Sequence, residues 1–287
     1  MKDLHSIPKP NWIKIKLPIE SSRINHVKKI LKMNLLHSVC EEALCPNLHE
    51  CFNNKTATFM ILGNICTRKC PFCAISNGRP RLINSDEPKK LSNTVLQMGI
   101  KYVVITSVAR DDLKDGGAIQ FVNCIKNLRM QKNIQIEILV PDFRNSLEYS
   151  IDIISKYPPD IFNHNLESIP RLYNIVRPGG NYHHSLKLLN IFKNKNPGIP
   201  TKSGLMLGLG ETDREVIKVL QDLRNNSVDM LTLGQYLRPS ISHLPVKRYV
   251  TPLKFQYFQK KALSMGFSNA FCGPLVRSSY HAHFQTQ

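Results

Sequence analysis

From Thr58 onward the chain alternates between short apolar runs rich in β-branched residues and longer stretches whose apolar positions recur at helical spacing. This alternation limits the fold more than any other feature. Thr58–Gly63, Tyr102–Val108, Ile134–Val140, Ile161–Glu167, Thr201–Gly208 and Met230–Tyr236 read as six strands. Between them, Gly117–Arg129 places Ala118, Phe121, Val122, Ile125 and Leu128 on one helical face, and Glu211–Asn225 does the same with Val216, Val219, Leu220 and Leu223. Such alternation implies parallel strands joined by right-handed crossovers, in an open doubly wound sheet or a complete or partial barrel. No G-x-G-x-x-G follows the first strand, which removes the main sign of a dinucleotide-binding sheet. With 287 residues, 42% of them hydrophobic, the chain can bury one barrel-sized core. Residues 1–57 read as an extension holding one helix from Ser22 to Leu36, without the pattern of an autonomous domain.

Cysteine usage narrows the reading. Six of the eight cysteines fall between residues 40 and 73, while Cys124 and Cys272 stand alone. The N-terminus shows neither an apolar signal core nor a transit-peptide pattern, so the cytoplasm is the expected compartment, and there crowded cysteines point to metal rather than disulfides. Directly after the first strand stands Cys66-Thr67-Arg68-Lys69-Cys70-Pro71-Phe72-Cys73, a C-x3-C-x2-C loop on the strand end where barrels carry their chemistry. Three thiolates leave a fourth corner open, which favours a four-iron cluster with one exchangeable iron; on the triad alone a zinc site stays open. A second triad, Cys40, Cys45 and Cys51, is spaced C-x4-C-x5-C in the extension.

The barrel loop resembles that of the radical S-adenosylmethionine superfamily, and the three motifs together resemble the lipoyl synthase family. That resemblance spans nearly the whole chain, including Arg110-Asp111-Asp112-Leu113, Asn163-His164-Asn165-Leu166-Glu167, Val176-Arg177-Pro178-Gly179, Lys202-Ser203-Gly204 and the terminal Arg277-Ser278-Ser279-Tyr280 within Gly273–Ala282. It implies an α/β fold, a partial (β/α)6 TIM-type barrel over residues 58–274, with the extension 1–57 and the tail 275–287 covering its mouth. It implies two [4Fe-4S] clusters and S-adenosylmethionine as cofactors. Cys66, Cys70 and Cys73 would hold the first cluster, with Phe72 against the cofactor's adenine. Cys40, Cys45, Cys51 and Ser279 would hold the second, with Arg277 beside it. Asn165 and Glu167, at the end of a strand on the cofactor side, read as contacts of S-adenosylmethionine by their position, and Arg177, Glu211 and Arg238 have a similar claim. The implied activity is insertion of two sulfur atoms, at carbons six and eight, into an octanoyl chain on a lysine of a carrier domain of 2-oxoacid dehydrogenases or the glycine cleavage H-protein. A flavodoxin- or ferredoxin-like electron donor and an iron–sulfur carrier protein would be partners. The family commonly has an acid where this chain has Ala109, which puts a polar role at that position in question and leaves Asp111 and Asp112.

Two other readings have distinct signatures. Another sulfur-inserting radical enzyme would share the barrel loop without the C-x4-C-x5-C and R-S-S-Y pair. A zinc-binding nucleic-acid protein would use the same cysteines and the net charge of +18. Lysines are spread through the chain without a cluster, so no nucleic-acid partner is expected, and no run nears the roughly 18 apolar residues of a membrane span. Cys124 and Cys272 read as packing residues, and His164, His183 and His184 as structural histidines. Gly116–Gly117 and Gly208-Leu209-Gly210 read as strand-to-helix turns.

Overall fold

The computed structural model describes residues 7–13, 22–53 and 58–279. Eight strands form one sheet in sequence order: β1 (His37–Ser38), β2 (Thr58–Ile61), β3 (Tyr102–Ser107), β4 (Gln135–Leu139), β5 (Ile161–Asn163), β6 (Thr201–Leu207), β7 (Met230–Gln235) and β8 (Asn269–Gly273). β1 lies antiparallel to β2, and all later neighbours are parallel. Ten α-helices accompany them among the described residues: α1 (Ser22–Met33), α2 (Val39–Glu42), α3 (Leu48–Asn53), α4 (Glu87–Met98), α5 (Ala118–Arg129), α6 (Leu147–Ser155), α7 (Tyr173–Val176), α8 (Tyr182–Lys195), α9 (Asp213–Asn225) and α10 (Pro252–Ser264).

The α/β partial barrel holds, with the six expected strands as β2 to β7. Two edge strands are added. β1 is only two residues long, and β8 reads Asn-Ala-Phe-Cys-Gly without a β-branched residue, so neither carries the usual strand composition. The first barrel strand stops at Ile61 rather than Gly63 because Leu62 (φ 67°) and Gly63 (φ 84°) turn left-handed and lift the chain toward the cysteine loop. For the same reason α1 ends at Met33 instead of Leu36: Leu35 takes φ 55°, and the Leu36 N–H reaches back to the Leu31 carbonyl.

Residues in register share a face of the sheet. Lys202 on β6 reaches Glu137 on β4 past the intervening β5, which marks their shared face as the concave one. Phe162, on the opposite face of β5, stacks on Phe192 of α8 with ring centroids 3.8 Å apart. The helix layer therefore lies outside and the lumen inside. Helix placement follows from local sequence. In α9, the Thr212 hydroxyl accepts from the Glu215 N–H while the Glu215 carboxylate accepts from the Thr212 N–H, closing a capping box. The face so oriented buries Val216, Val219, Leu220 and Leu223 fully, each contributing about 1.5–3 kcal/mol before chain entropy is deducted. α5 begins after Gly117 at φ 92°, where a Cβ would overlap the Leu62 side chain.

Candidate active site

The first cysteine loop is fixed from three sides. The Cys66 N–H donates to the Ser76 carbonyl (2.8 Å) and the Gly78 N–H to the Cys66 carbonyl (3.0 Å), closing the loop on itself. Thr67 donates from its N–H (3.1 Å) and hydroxyl (3.0 Å) to the Ala109 carbonyl, so the position where the family carries an acid acts here through its backbone. From beyond β7, the Leu244 N–H donates to the Pro71 carbonyl, and the His243 ring stands 3.1 Å from the Cys73 carbonyl.

Arg68, between the first two cysteines, anchors the loop to the strand ends. Its Nε and NH2 groups donate to Asp111 at 2.7 and 2.5 Å, and NH1 donates to Asp142 at 2.6 Å. Burial alone would raise Asp142, but the hydrogen bond and charge of Arg68, aided by Arg177, hold it at about 2. Arg177 lies 3.5 Å from the same carboxylate. Burial works against its charge, yet Tyr173, Asp142, Glu167 and Cys70 together raise its pKa. Its NH1 donates to the Asn165 carbonyl (3.0 Å) and the Tyr173 hydroxyl (2.9 Å), so much of its donor capacity is spent on holding the β5 loop.

Burial pushes the Cys73 thiol up to about 12 and raises Cys70; in Cys70 the positive charge of Arg177 opposes the effect and Cys66 adds to it. Thiols so shielded become thiolates only with a compensating cation, which is the chemistry an iron–sulfur cluster brings. Among the described residues no three His, Cys, Asp or Glu side chains are set around a point that would hold a single metal ion. A cluster hands each thiolate to a separate iron and accepts a wider spread of donors. Phe72 is half-buried against the core beside this loop.

Asn165 and Glu167 follow β5 at the same end of the barrel. Glu167 takes φ 69° and still pairs across to β6, its N–H donating to the Gly204 carbonyl and its carbonyl accepting from Met206. Burial raises the Glu167 carboxyl, opposed by Arg177, by the Asn165 amide at 3.0 Å and by Arg277. Glu211 is otherwise engaged: its carboxylate accepts the Gly208 and Leu209 N–H groups at 2.7 and 2.9 Å and pairs with Arg248. Arg238 donates to the His243 carbonyl and holds the loop that touches Pro71 and Cys73.

The second cysteine group gathers near the start of β2. Ser38 caps α2 by accepting the Cys40 N–H. The Cys40 thiol falls to about 6, chiefly through its hydrogen bond with Cys51 and with help from Thr58, against the burial that raises it. Burial and Cys40 raise Cys45, while Asn47 and the charge of Arg277 lower it. The tail reaches the same place. Asn47 donates to the Leu275 carbonyl (2.7 Å), and the Thr58 hydroxyl donates to the Ser279 hydroxyl (2.7 Å). Thr58 is therefore a common neighbour of Cys40 and Ser279. Arg277 is half-buried, its pKa lowered by desolvation against the charges of Cys45 and Glu167, which raise it. Tyr280, His281 and Ala282 of the terminal motif lie outside the described residues.

Cys124 is fully buried and its thiol raised by burial; Cys272 is pushed to about 12 in the same way. His164 holds the Val140 carbonyl and the Ser185 hydroxyl, and burial drives its pKa to about 3, leaving a neutral structural ring. Sequence reasoning passed over Arg68, Asp142, Thr58, Ser278 and the buried Glu137–Lys202 pair. An acid in one strand run and a base in another were a legible sign of the last; nothing in the spacing pairs Arg68 with Asp142.

The comparisons with known proteins agree with this arrangement. The Radical SAM superfamily model matches residues 60–223. The chain is 61% identical to the lipoyl synthase of Buchnera aphidicola subsp. Acyrthosiphon pisum (strain Tuc7) over 98% of its own length and 87% of that protein's. It is 60% identical to the lipoyl synthase of Proteus mirabilis (strain HI4320), covering 97% and 87%. Among solved structures, methylornithine synthase (TM-score 0.56, 17% identity, 85% of this chain and 73% of that one) shares the fold. So does Streptococcus suis SuiB bound to S-adenosylmethionine (0.57, 14%, 87% and 61%). Identity of this degree over almost the full length, on a barrel with its cysteine loop at the end of the first parallel strand, makes the chain a member of the lipoyl synthase family within the Radical SAM superfamily.

Proposed function

We propose that the chain inserts two sulfur atoms, at carbons six and eight, into an octanoyl group carried on a lysine of a lipoyl carrier domain, in 2-oxoacid dehydrogenases or the glycine cleavage H-protein. Cys66, Cys70 and Cys73 would hold one [4Fe-4S] cluster. Cys40, Cys45, Cys51 and Ser279 would hold a second, sacrificial one as the sulfur source. When bound to the first cluster and reduced, S-adenosylmethionine supplies the radical that an unactivated C–H bond demands, beyond the reach of any side-chain acid or base. Asn165 and Glu167 would orient that cofactor, with Phe72 against its adenine. Arg177 would act on it mainly by holding the Asn165 carbonyl. Arg277, half-buried and coupled electrostatically to Cys45 and Glu167, would balance charge between the two ends.

The observation that carries this reading is the meeting of three distant segments at one end of β2: Cys40 with Cys51, Thr58, and Ser279 from the tail. The cysteine loop with Arg68 stands at the other end of the same strand. The concave strand face lies between the two sites, and the acyl chain would be held along it. A flavodoxin- or ferredoxin-like electron donor and an iron–sulfur carrier protein would serve the two clusters. No described helix is long and apolar enough to cross a membrane, and the cytoplasm is the proposed compartment.

The test is an oxygen-free single-turnover assay with reconstituted protein, S-adenosylmethionine, a reductant and an octanoyl-lysine peptide, read by mass spectrometry. A dithiolated peptide with 5′-deoxyadenosine supports the proposal. 5′-Deoxyadenosine without sulfur on the peptide moves the substrate elsewhere. Full sulfur insertion by Ser279→Ala would remove the serine from the second cluster.

A further inference from the structure

Successive residues of the tail face different sites. Ser279 meets Thr58 at the start of β2, whereas the hydroxyl of Ser278 lies 2.7 Å from Nδ2 and 2.9 Å from Oδ1 of Asn165, beyond β5. It is placed to accept from the first and donate to the second. The same Nδ2 reaches Glu167 at 3.0 Å, and the Asn165 carbonyl is held by Arg177. The space they share exists because β6 and β7 carry bare glycines facing the lumen. A Cβ on Gly204 would lie 2.5 Å from the Thr232 hydroxyl, 2.9 Å from Asn165 Oδ1 and 3.3 Å from the Ser278 hydroxyl. A Cβ on Gly234 would overlap the Val276 carbonyl. The sheet is hollowed to admit this strip of tail against Asn165.

We infer that Ser278 is a positioning residue: by fixing the Asn165 carboxamide, and through it Glu167, it ties occupancy of the S-adenosylmethionine site to the seating of the tail that presents Ser279. The inference rests on the reading of Asn165 and Glu167 as contacts of that cofactor. Its physical content is orientational. An amide that donates to both Glu167 and Ser278 has one orientation, and without Ser278 it loses one of the partners that prevent rotation. Departure of the tail from its seat, as when Ser279 gives up its place, therefore loosens the groups at the other site.

The experiment uses the reconstituted full chain without oxygen and titrates S-adenosylmethionine while following the electron paramagnetic resonance signal of the reduced cluster. Ser278→Ala is expected to weaken binding about fivefold, the equivalent of one hydrogen bond of about 1 kcal/mol, with iron and sulfide content unchanged. Ser278→Thr keeps the hydroxyl and, at a half-buried position outside the packed core, is expected to bind within about twofold of the parent. Parent-like affinity in Ser278→Ala overturns the inference. So does loss of cluster iron in Ser278→Ala, since the tail would then act by holding the second cluster alone. A parent chain whose signal does not respond to S-adenosylmethionine overturns the reading of the cofactor site itself, and the inference with it.

Discussion

The ion pair of Lys202 and Glu137 is sealed in the barrel, with both side chains fully buried and Nζ at 2.9 and 3.1 Å from the two carboxylate oxygens. Glu137 also accepts from the Tyr102 hydroxyl (2.6 Å) and the Asn163 amide (2.9 Å). Removing one member of such a pair leaves a charge without its counter-charge and costs about 3–5 kcal/mol, whereas removing both is close to neutral. Lys202→Met leaves Glu137 with two neutral donors and falls at the lower end, about 3 kcal/mol. In a chain of this size, at about 2.1 cal/mol/K of unfolding entropy per residue, that lowers the thermal midpoint by about 5 °C. Glu137→Gln leaves a buried lysine, whose pKa burial already lowers and Glu137 opposes. Without the carboxylate the folded pKa drops further below the unfolded one. The unfolded chain then binds more protons between the two values, so the stability of Glu137→Gln rises with pH in that window. The double variant is expected to recover most of either single loss. The assay is thermal unfolding of the cluster-loaded chain under argon, followed by circular dichroism from pH 6 to 9. Single variants within about 2 °C of the parent, or a double variant whose loss is the sum of the singles, would refute the reasoning.

Other changes test the loop and the tail. Asp142 is held at about 2 against 3.8 unfolded, a shift of nearly two units worth about 2 kcal/mol. That contribution is complete above about pH 4 and is lost as pH falls toward 2, so the midpoint gap between the parent and Asp142→Asn should halve by about pH 3; a gap unchanged from pH 6 to pH 3 contradicts the assignment. Arg68→Lys can engage only one of the two carboxylates that Arg68 spans, and should speed loss of the barrel-loop cluster to a chelator about tenfold. An unchanged chelation rate would mean that the loop stands without the clamp. Gly234→Ala should push the tail off β7, costing about 1–3 kcal/mol and exposing residues 274–279 to protease, where parent-like resistance would show the tail seated elsewhere.

Much of the barrel was legible because each strand from Thr58 to Tyr236 carries its own local signal, and the cysteine loop follows the first one directly. The residues that hold that loop in place were not. Arg68 is 74 positions from Asp142, and the two meet only once β2 and β4 lie side by side with β3 between them. Phe72 was found by resemblance and Asn165 and Glu167 by their place at a strand end, and the structure adds how that end is held: Glu167 adopts a left-handed backbone that keeps its pairing to β6, which no periodicity announces. The two edge strands were missed for a different reason. β1 and β8 are short or poor in strand formers and owe their conformation to neighbours, so their signal lies in the sheet and not in their own residues.

The open side of the sheet explains why chemistry gathers at the two ends of the chain. Parallel strands β2 to β8 leave the lumen uncovered between their outer edges, and a radical formed inside would meet water there. The gap is bridged by segments from opposite ends of the sequence: Asn47 holds Leu275 across 228 positions, and Thr58 holds Ser279 across 221. Pro274 also accepts the Gln235 N–H of β7, so the bridge runs from beside edge strand β8 to β2, next to edge strand β1. The tail is seated on β8 and β7, with the Val276 N–H donating to the Gly273 carbonyl and the Val276 carbonyl filling the hollow over Gly234. The tail thus serves both the cover of the lumen and the end where Ser279 meets Thr58, so a change that unseats it is expected to disturb both.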